Sequence, residues 1–192
     1  MFRILQKTVL LGCLSLALTA CSSMNLDSNA AKIQTQPTTA QKRLITVYHV
    51  SANGVGESIG TVSFGQTTQG LIITPALWKL SPGEHGFHLH ENASCDAAMK
   101  DGKMGAALAA GGHYNPHNIA HHGSPTTGHL GDLPALVVND KGFATTPVIA
   151  PRLKLSDIQG RAIMIHAGGD NYSDTPQPLG GGGARIACGV IS

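Results

Sequence analysis

From residue 43 onward the chain alternates short β-branched and apolar runs with turn signals, at the spacing of an all-β domain. Leu44 to Val50 and Ser58 to Gly65 flank Ala52-Asn53-Gly54-Val55-Gly56, and Gly70 to Trp78 runs toward Ser81-Pro82-Gly83, which predicts hairpin-like units. A strand over residues 86–90 follows. Ala135 to Asn139, the turn Asn139-Asp140-Lys141-Gly142, Phe143 to Ala150, Arg161 to Ala167 and Ala184 to Ile191 complete the set. No stretch carries a helical period. Eight short antiparallel strands in about 150 residues fit a Greek-key sandwich or flattened barrel, and a domain of that size can bury a substantial core. Two connections are long, Glu91 to Leu133 and Gly168 to Gly183, and long loops in a compact domain usually carry function.

The N-terminal part obeys a different pattern. Arg3 and Lys7 lead into a Leu- and Ala-rich run from Thr8 to Ala20, about 13 residues against the roughly 20 needed to span a bilayer. Residues 1–20 therefore read as a secretory signal. Leu18-Thr19-Ala20-Cys21 resembles a bacterial lipoprotein cleavage site, so the mature chain is expected to begin at a lipid-modified Cys21 and to hold a membrane through it. Ser22, rather than an aspartate, follows Cys21, which implies sorting to the outer membrane and a periplasmic location. Residues 21–42, rich in Ser, Asn, Gln, Thr and Ala, are expected to form a flexible linker ahead of a domain over 43–192. The chain has 13 Lys and Arg against 11 Asp and Glu, and loss of Arg3 and Lys7 with the signal leaves the charges balanced. No basic cluster or aromatic platform suggests nucleic acid.

Chemistry concentrates in Gly86 to Asp132, which holds seven histidines. On a strand over 86–90, Phe87 and Leu89 point one way and His88 and His90 the other, so the apolar pair enters the core and the imidazole pair lies outside. A His-x-His strand by itself fits two solvated surface histidines as readily as a metal site. The context argues for metal: imidazole is the commonest zinc and copper ligand, and His113, His122, His129 and Asp132 follow in a Gly-rich loop. Three histidines and one aspartate would complete a tetrahedral zinc site, leaving His88 and His90 in need of other partners.

Five separated motifs carry a resemblance to a known family: Gly86-Phe87-His88-Leu89-His90-Glu91; Gly111-Gly112-His113-Tyr114-Asn115-Pro116; His129-Leu130-Gly131-Asp132-Leu133-Pro134; Met164-Ile165-His166-Ala167-Gly168-Gly169-Asp170; and Gly180 through Ile191. Together they resemble the copper/zinc superoxide dismutases, in their bacterial periplasmic branch, over roughly residues 43–192. The resemblance implies copper ligands His88, His90, His113 and His166, and zinc ligands His113, His122, His129 and Asp132, with His113 shared. His122 is taken over His121 because Gly123 follows it, as in the family pattern. Copper cycling between Cu(II) and Cu(I) would convert superoxide to oxygen and hydrogen peroxide, with His113 delivering a proton and zinc holding His113 in place. Arg185 would attract and orient the substrate anion, and Asp170 would link the outer nitrogens of His88 and His122.

With Cys13 in the signal and Cys21 at the lipid site, Cys95 and Cys188 remain in an exported domain, where an even pair implies a disulfide. In the family this bridge ties the loop after the His-x-His strand to the last strand. Two features depart from the family. Ala93 stands where Gly or Pro is common, and residues 168–183 hold no Lys or Glu, so Lys100 and Lys103 are the candidates for further steering. His49, His85, His117 and His121 are left without a role, as ordinary surface or loop histidines. A copper and zinc buffer or delivery protein is the competing reading, though a buffer has no use for Arg185 or a shared His113. A zinc hydrolase needs an open zinc position, which four protein ligands deny. Family members are monomers or homodimers, and nothing in the residues separates these.

Overall fold

The computed structural model describes residues 42–192. The signal, Cys21 and nearly all of the linker lie outside the described residues.

Alternation sets the first hairpin. In β1 (Lys42–Ser51) Ile45 and Val47 are buried while Leu44 and Thr46 face out, and β1 pairs antiparallel with β2 (Gly54–Thr67). Next come β3 (Gly70–Leu77), β4 (Gly83–His85), β5 (Phe87–His90), β6 (Ala98–Lys100), β7 (Lys103–Gly105), β8 (Leu136–Val138), β9 (Val148–Ala150), β10 (Arg161–His166) and β11 (Arg185–Ile191). Seven of these make one sheet in the order β5-β10-β11-β1-β2-β3-β9, and β4 pairs with β8. Only Gly86 separates β4 from β5, so one bent segment leaves the small sheet and joins the edge of the large one. Counting that segment once, eight strands enclose the core, as the sequence predicts. Phe64, Phe87, Leu89, Ile163 and Leu136 are fully buried in it.

Two expectations need adjusting. The strand expected over Phe143 to Ala150 is regular only from Val148, because Pro147 lacks the N–H a ladder needs, and Ala144 makes an isolated bridge to Leu77. The Glu91 to Leu133 connection also contains structure: β6 and β7 form a hairpin, followed by a 3-10 turn at Leu108–Ala110. Asp101 and Gly102 both have positive φ, the backbone of a tight hairpin turn, and Asp-Gly is its usual sequence. Among the described residues no helix is long and apolar enough to cross a membrane.

The sulfurs of Cys95 and Cys188 are bonded across 93 residues, fastening this connection to β11. Replacing both cysteines by serine should lower the unfolding free energy by about 2–5 kcal/mol. Urea titration of the two proteins checks this, and equal midpoints would contradict it.

Candidate metal centre and anion cavity

Strand β5 is buried on both faces. Phe87 and Leu89 enter the core, and His88 and His90 are covered because both ends of the long connection return to the strand. Leu89 N–H donates to Gly131 O (2.9 Å), Tyr114 N–H donates to Leu89 O (2.8 Å), and Gly131 N–H donates to Tyr114 O (2.8 Å). Gly131 has to be a glycine: a Cβ there would sit 2.3 Å from Leu89 O. Isolated bridges pair His90 with His113 and His88 with Asp132. On the other side, β10 sets Met164 opposite His88 and Ala162 opposite His90. A register shift at its end brings His166 opposite Arg185.

Hydrogen bonds then orient each ring. His88 Nε2 donates to Asp170 Oδ2 (2.8 Å), His90 Nδ1 to Gly111 O (3.0 Å), His166 Nδ1 to Gly183 O (3.1 Å) and His122 Nε2 to Asp170 Oδ1 (2.8 Å). A neutral imidazole that donates through one nitrogen carries a lone pair on the other. Those other nitrogens, His88 Nδ1, His90 Nε2 and His166 Nε2, are buried without a hydrogen-bond partner, as is His129 Nδ1. Each unmatched buried polar atom would ordinarily cost about 1–3 kcal/mol.

The nitrogens converge. His88, His90, His113 and His166 bring ligand atoms within 4.8 Å of one another, and so do His88, His113, His122 and Asp132. The second grouping takes in His88 where the sequence points to His129, yet His129 Nδ1 lies 3.5 Å from Asp132 Oδ1, the oxygen that also faces His113 Nδ1 (2.9 Å) and His122 Nδ1 (3.1 Å). Asp132 Oδ2 accepts the N–H groups of Gly123 and His129, which fixes the carboxylate. An all-imidazole set beside an imidazole–carboxylate set fits the donor chemistry of copper beside zinc.

Electrostatics divide the cluster. Burial holds His88 down to about 3 against its bond to Asp170, and His166 down to about 4 against the Gly183 carbonyl. Burial also lowers His90 and His113. It acts on His122 in the same direction, but the Asp132 and Asp170 carboxylates outweigh it and carry His122 up to about 9. Burial would raise both carboxyls, yet hydrogen bonds hold them below the ordinary carboxylate range, from His113, His122 and Gly123 at Asp132 and from His122, His88 and Tyr172 at Asp170.

A cavity of about 510 Å³ opens onto His90, His113 and His166, walled by Gln177, Pro178 and Leu179, with Arg185 at its side. The Arg185 guanidinium donates to Ala107 O (2.6 Å) and Gly111 O (2.7 Å), so a fixed cation faces the cavity. A second hollow of about 530 Å³, between β1 and Ala93–Asp96, has no histidine in its lining. All the residues singled out from the sequence within 86–185 as metal ligands, together with Asp170 and Arg185, thus meet at one place. Lys100 and Lys103 face each other across the β6–β7 turn, exposed.

Sequence reasoning missed two residues. His85 is buried rather than superficial, its Nδ1 2.7 Å from His166 O and its Nε2 2.8 Å from Ser81 O. Its place directly before Gly86, on the same bent segment as His88, was the available signal. Arg152 donates to Pro125 O, Gly128 O and His129 O, and so clamps the 125–129 turn behind Asp132. Nothing in the local sequence marked it. Of the others, His49 Nδ1 lies 3.3 Å from Ile186 O, and His117 and His121 are exposed.

Residues 58–191 match the model of the family described as copper/zinc superoxide dismutase. The chain belongs to that family. It is 61% identical over 144 residues to a copper/zinc superoxide dismutase of Salmonella typhimurium, covering 74% of this chain and 83% of that one. The enzyme from Escherichia coli K12 is 59% identical over the same shares of both chains. The solved copper/zinc superoxide dismutase of Brucella abortus superimposes with a TM-score of 0.78 at 51% identity, covering 79% of this chain and all of that one. The chain is accordingly an oxidoreductase that dismutates superoxide, with copper and zinc as cofactors.

The pKa pattern predicts how the metal-free protein responds to pH. His88 and His166, depressed on folding, remove stability as pH falls below about 6.5, because the unfolded chain binds their protons more readily. His122, raised on folding, stabilises fully below about 6.5 and loses that contribution as pH rises toward 9. Urea midpoints of the metal-free protein should therefore peak near pH 6.5, and His122→Asn should flatten the alkaline side. An unchanged alkaline decline in that variant would contradict the assignment.

Proposed function

We propose that His88, His90, His113 and His166 hold copper, and that His113, His122, His129 and Asp132 hold zinc. The observation that carries this reading is the set of buried imidazole nitrogens without hydrogen-bond partners, together with the convergence of the His88, His90, His113 and His166 ligand atoms where the cavity opens. When bound, copper supplies the one-electron couple that zinc lacks, and zinc supplies a fixed positive charge. Arg185, held by two carbonyls, draws the superoxide anion into the cavity and orients it. His113 keeps Nδ1 against Asp132, so Nε2 is the nitrogen that carries a proton to the product. Asp170 binds His88 and His122 at once and keeps both rings turned inward. Lys100 and Lys103 add attraction from the surface.

Arg185→Glu should retain both metals and slow superoxide turnover by at least about tenfold, since two unit charges about 6 Å apart at intermediate dielectric interact by roughly 1–3 kcal/mol. Arg185→Ala should fall between, and added salt should slow the native enzyme more than the charge-reversed one. His88→Ala should lose copper and activity together while keeping zinc. Metal analysis with a dismutation assay reads all of these. A native rate in fully metallated Arg185→Glu would refute the steering role, and joint loss of zinc in His88→Ala would put His88 in the zinc set.

The N-terminal signals support a periplasmic enzyme tethered to the outer membrane by lipid on Cys21. A solution structure from Salmonella enterica, 56% identical with a TM-score of 0.72, is of a monomeric copper, zinc superoxide dismutase, which supports a monomer here also. Cys21→Ser should release an active soluble domain from the membrane fraction. Membrane partitioning that the substitution leaves unchanged would exclude the tether.

A further inference from the structure

The wall Gln177–Leu179 is weakly supported by its own sequence. All three residues are exposed, and Leu179 carries a φ of 54°, a backbone conformation that a branched side chain leaves when nothing holds it. The 174–179 excursion is closed at its base by Asn171 N–H to Gly180 O (3.0 Å) and Gly180 N–H to Ser173 O (2.9 Å). Beyond that, among the described residues, one side-chain hydrogen bond reaches the wall: Leu179 N–H to Asp174 Oδ1 (3.1 Å). The other oxygen of the same carboxylate faces the opposite loop, where Oδ2 accepts His122 N–H (3.2 Å) and lies 3.1 Å from His121 Nδ1. His122 is buried, its ring held between Asp170 and Asp132.

From this geometry we propose that Asp174 is a positioning residue for dismutation: it suspends the wall Gln177–Leu179 from the His122 backbone and so sets how large an anion reaches His90, His166 and Arg185. The wall works by shape, because Gln177, Pro178 and Leu179 are themselves uncharged, Asp170 and Asp174 do not line the cavity, and Arg185 is left to attract the anion. Superoxide, two atoms long, needs only a narrow opening; bulkier anions are turned away at the wall. The inference rests on the metal assignment above, and the readings below separate the two.

The test compares the copper- and zinc-loaded native protein with Asp174→Ala, Asp174→Asn and His121→Ala. Amide exchange at Leu179 is followed by NMR in the reduced protein. Copper reduction by hexacyanoferrate(II), a bulky anion, is followed by loss of the visible copper band, and azide affinity by its shift. Asp174→Ala should exchange Leu179 about tenfold faster and be reduced by hexacyanoferrate(II) several-fold faster, as expected for loss of one holding hydrogen bond. Metal content should be native and azide affinity should change by less than about twofold, since a small anion already passes. Asp174→Asn, keeping one acceptor oxygen, should fall between, and His121→Ala, which leaves His122 N–H on Asp174, should change both readings by less than Asp174→Ala. Native Leu179 exchange and a native hexacyanoferrate(II) rate in Asp174→Ala would overturn the proposal and leave the metal assignment standing. If Asp174→Ala loads metal poorly, Leu179 exchange in the metal-free proteins decides alone, and equal exchange there overturns it. A native protein that binds no copper would instead overturn the metal assignment.

Discussion

The metal end of the molecule depends on how the free edge of β5 is satisfied. An edge strand presents a row of unpaired N–H and C=O groups, and here the two ends of one long connection supply the partners, Gly131 and Tyr114 at Leu89 and Gly112 at Glu91. That pairing turns the outer face of the strand into an interior. His88 and His90, which alternation places outside the core, become as buried as Phe87 and Leu89. Burial in turn keeps their rings neutral, the form in which imidazole donates a lone pair.

Backbone oxygens do much of the positioning that side chains are usually credited with. Gly111 O accepts from both His90 and Arg185, so one carbonyl sets the distance between a ring at the cavity and the cation beside it. Arg152 does similar service behind Asp132, spending its donors on three carbonyls of a turn. Two carboxylates, Asp132 and Asp170, then fix the imidazoles from opposite sides, with His122 touching both. Gly180 lets the second approach: a Cβ there would lie 2.1 Å from Asp170 Oδ1.

How much of this the chain discloses varies with range. The alternation in Phe87-His88-Leu89-His90 is a local pattern and defined both the strand and its two faces. The Asp-Gly turn of β6 and β7 was equally local, but the flanking strands are three residues each and carry no apolar alternation, so the hairpin went unread inside a loop. His85 and Arg152 could not be placed at all, because their partners, His166 O and the 125–129 carbonyls, are backbone atoms that any residue would supply. Sequence marks a side chain by its type. It does not mark the carbonyl that will receive it. The candidate ligand histidines stood out only because their type is rare and their motifs matched a family.

The sheet order carries a consequence for how the enzyme comes into being. β11, the last of the described strands in the chain, lies in the middle of the large sheet between β10 and β1, and it brings both Arg185 and Cys188. A nascent chain that has emerged as far as β10 holds every histidine of the cluster but lacks the strand on which β10 and β1 both pair. Such a chain exposes two unpaired edges and has no fixed cation beside its histidines. Vectorial delivery of the polypeptide thus withholds a working site until β11 arrives, and contacts that join β1 to β11 make that closing step slow compared with local hairpin formation.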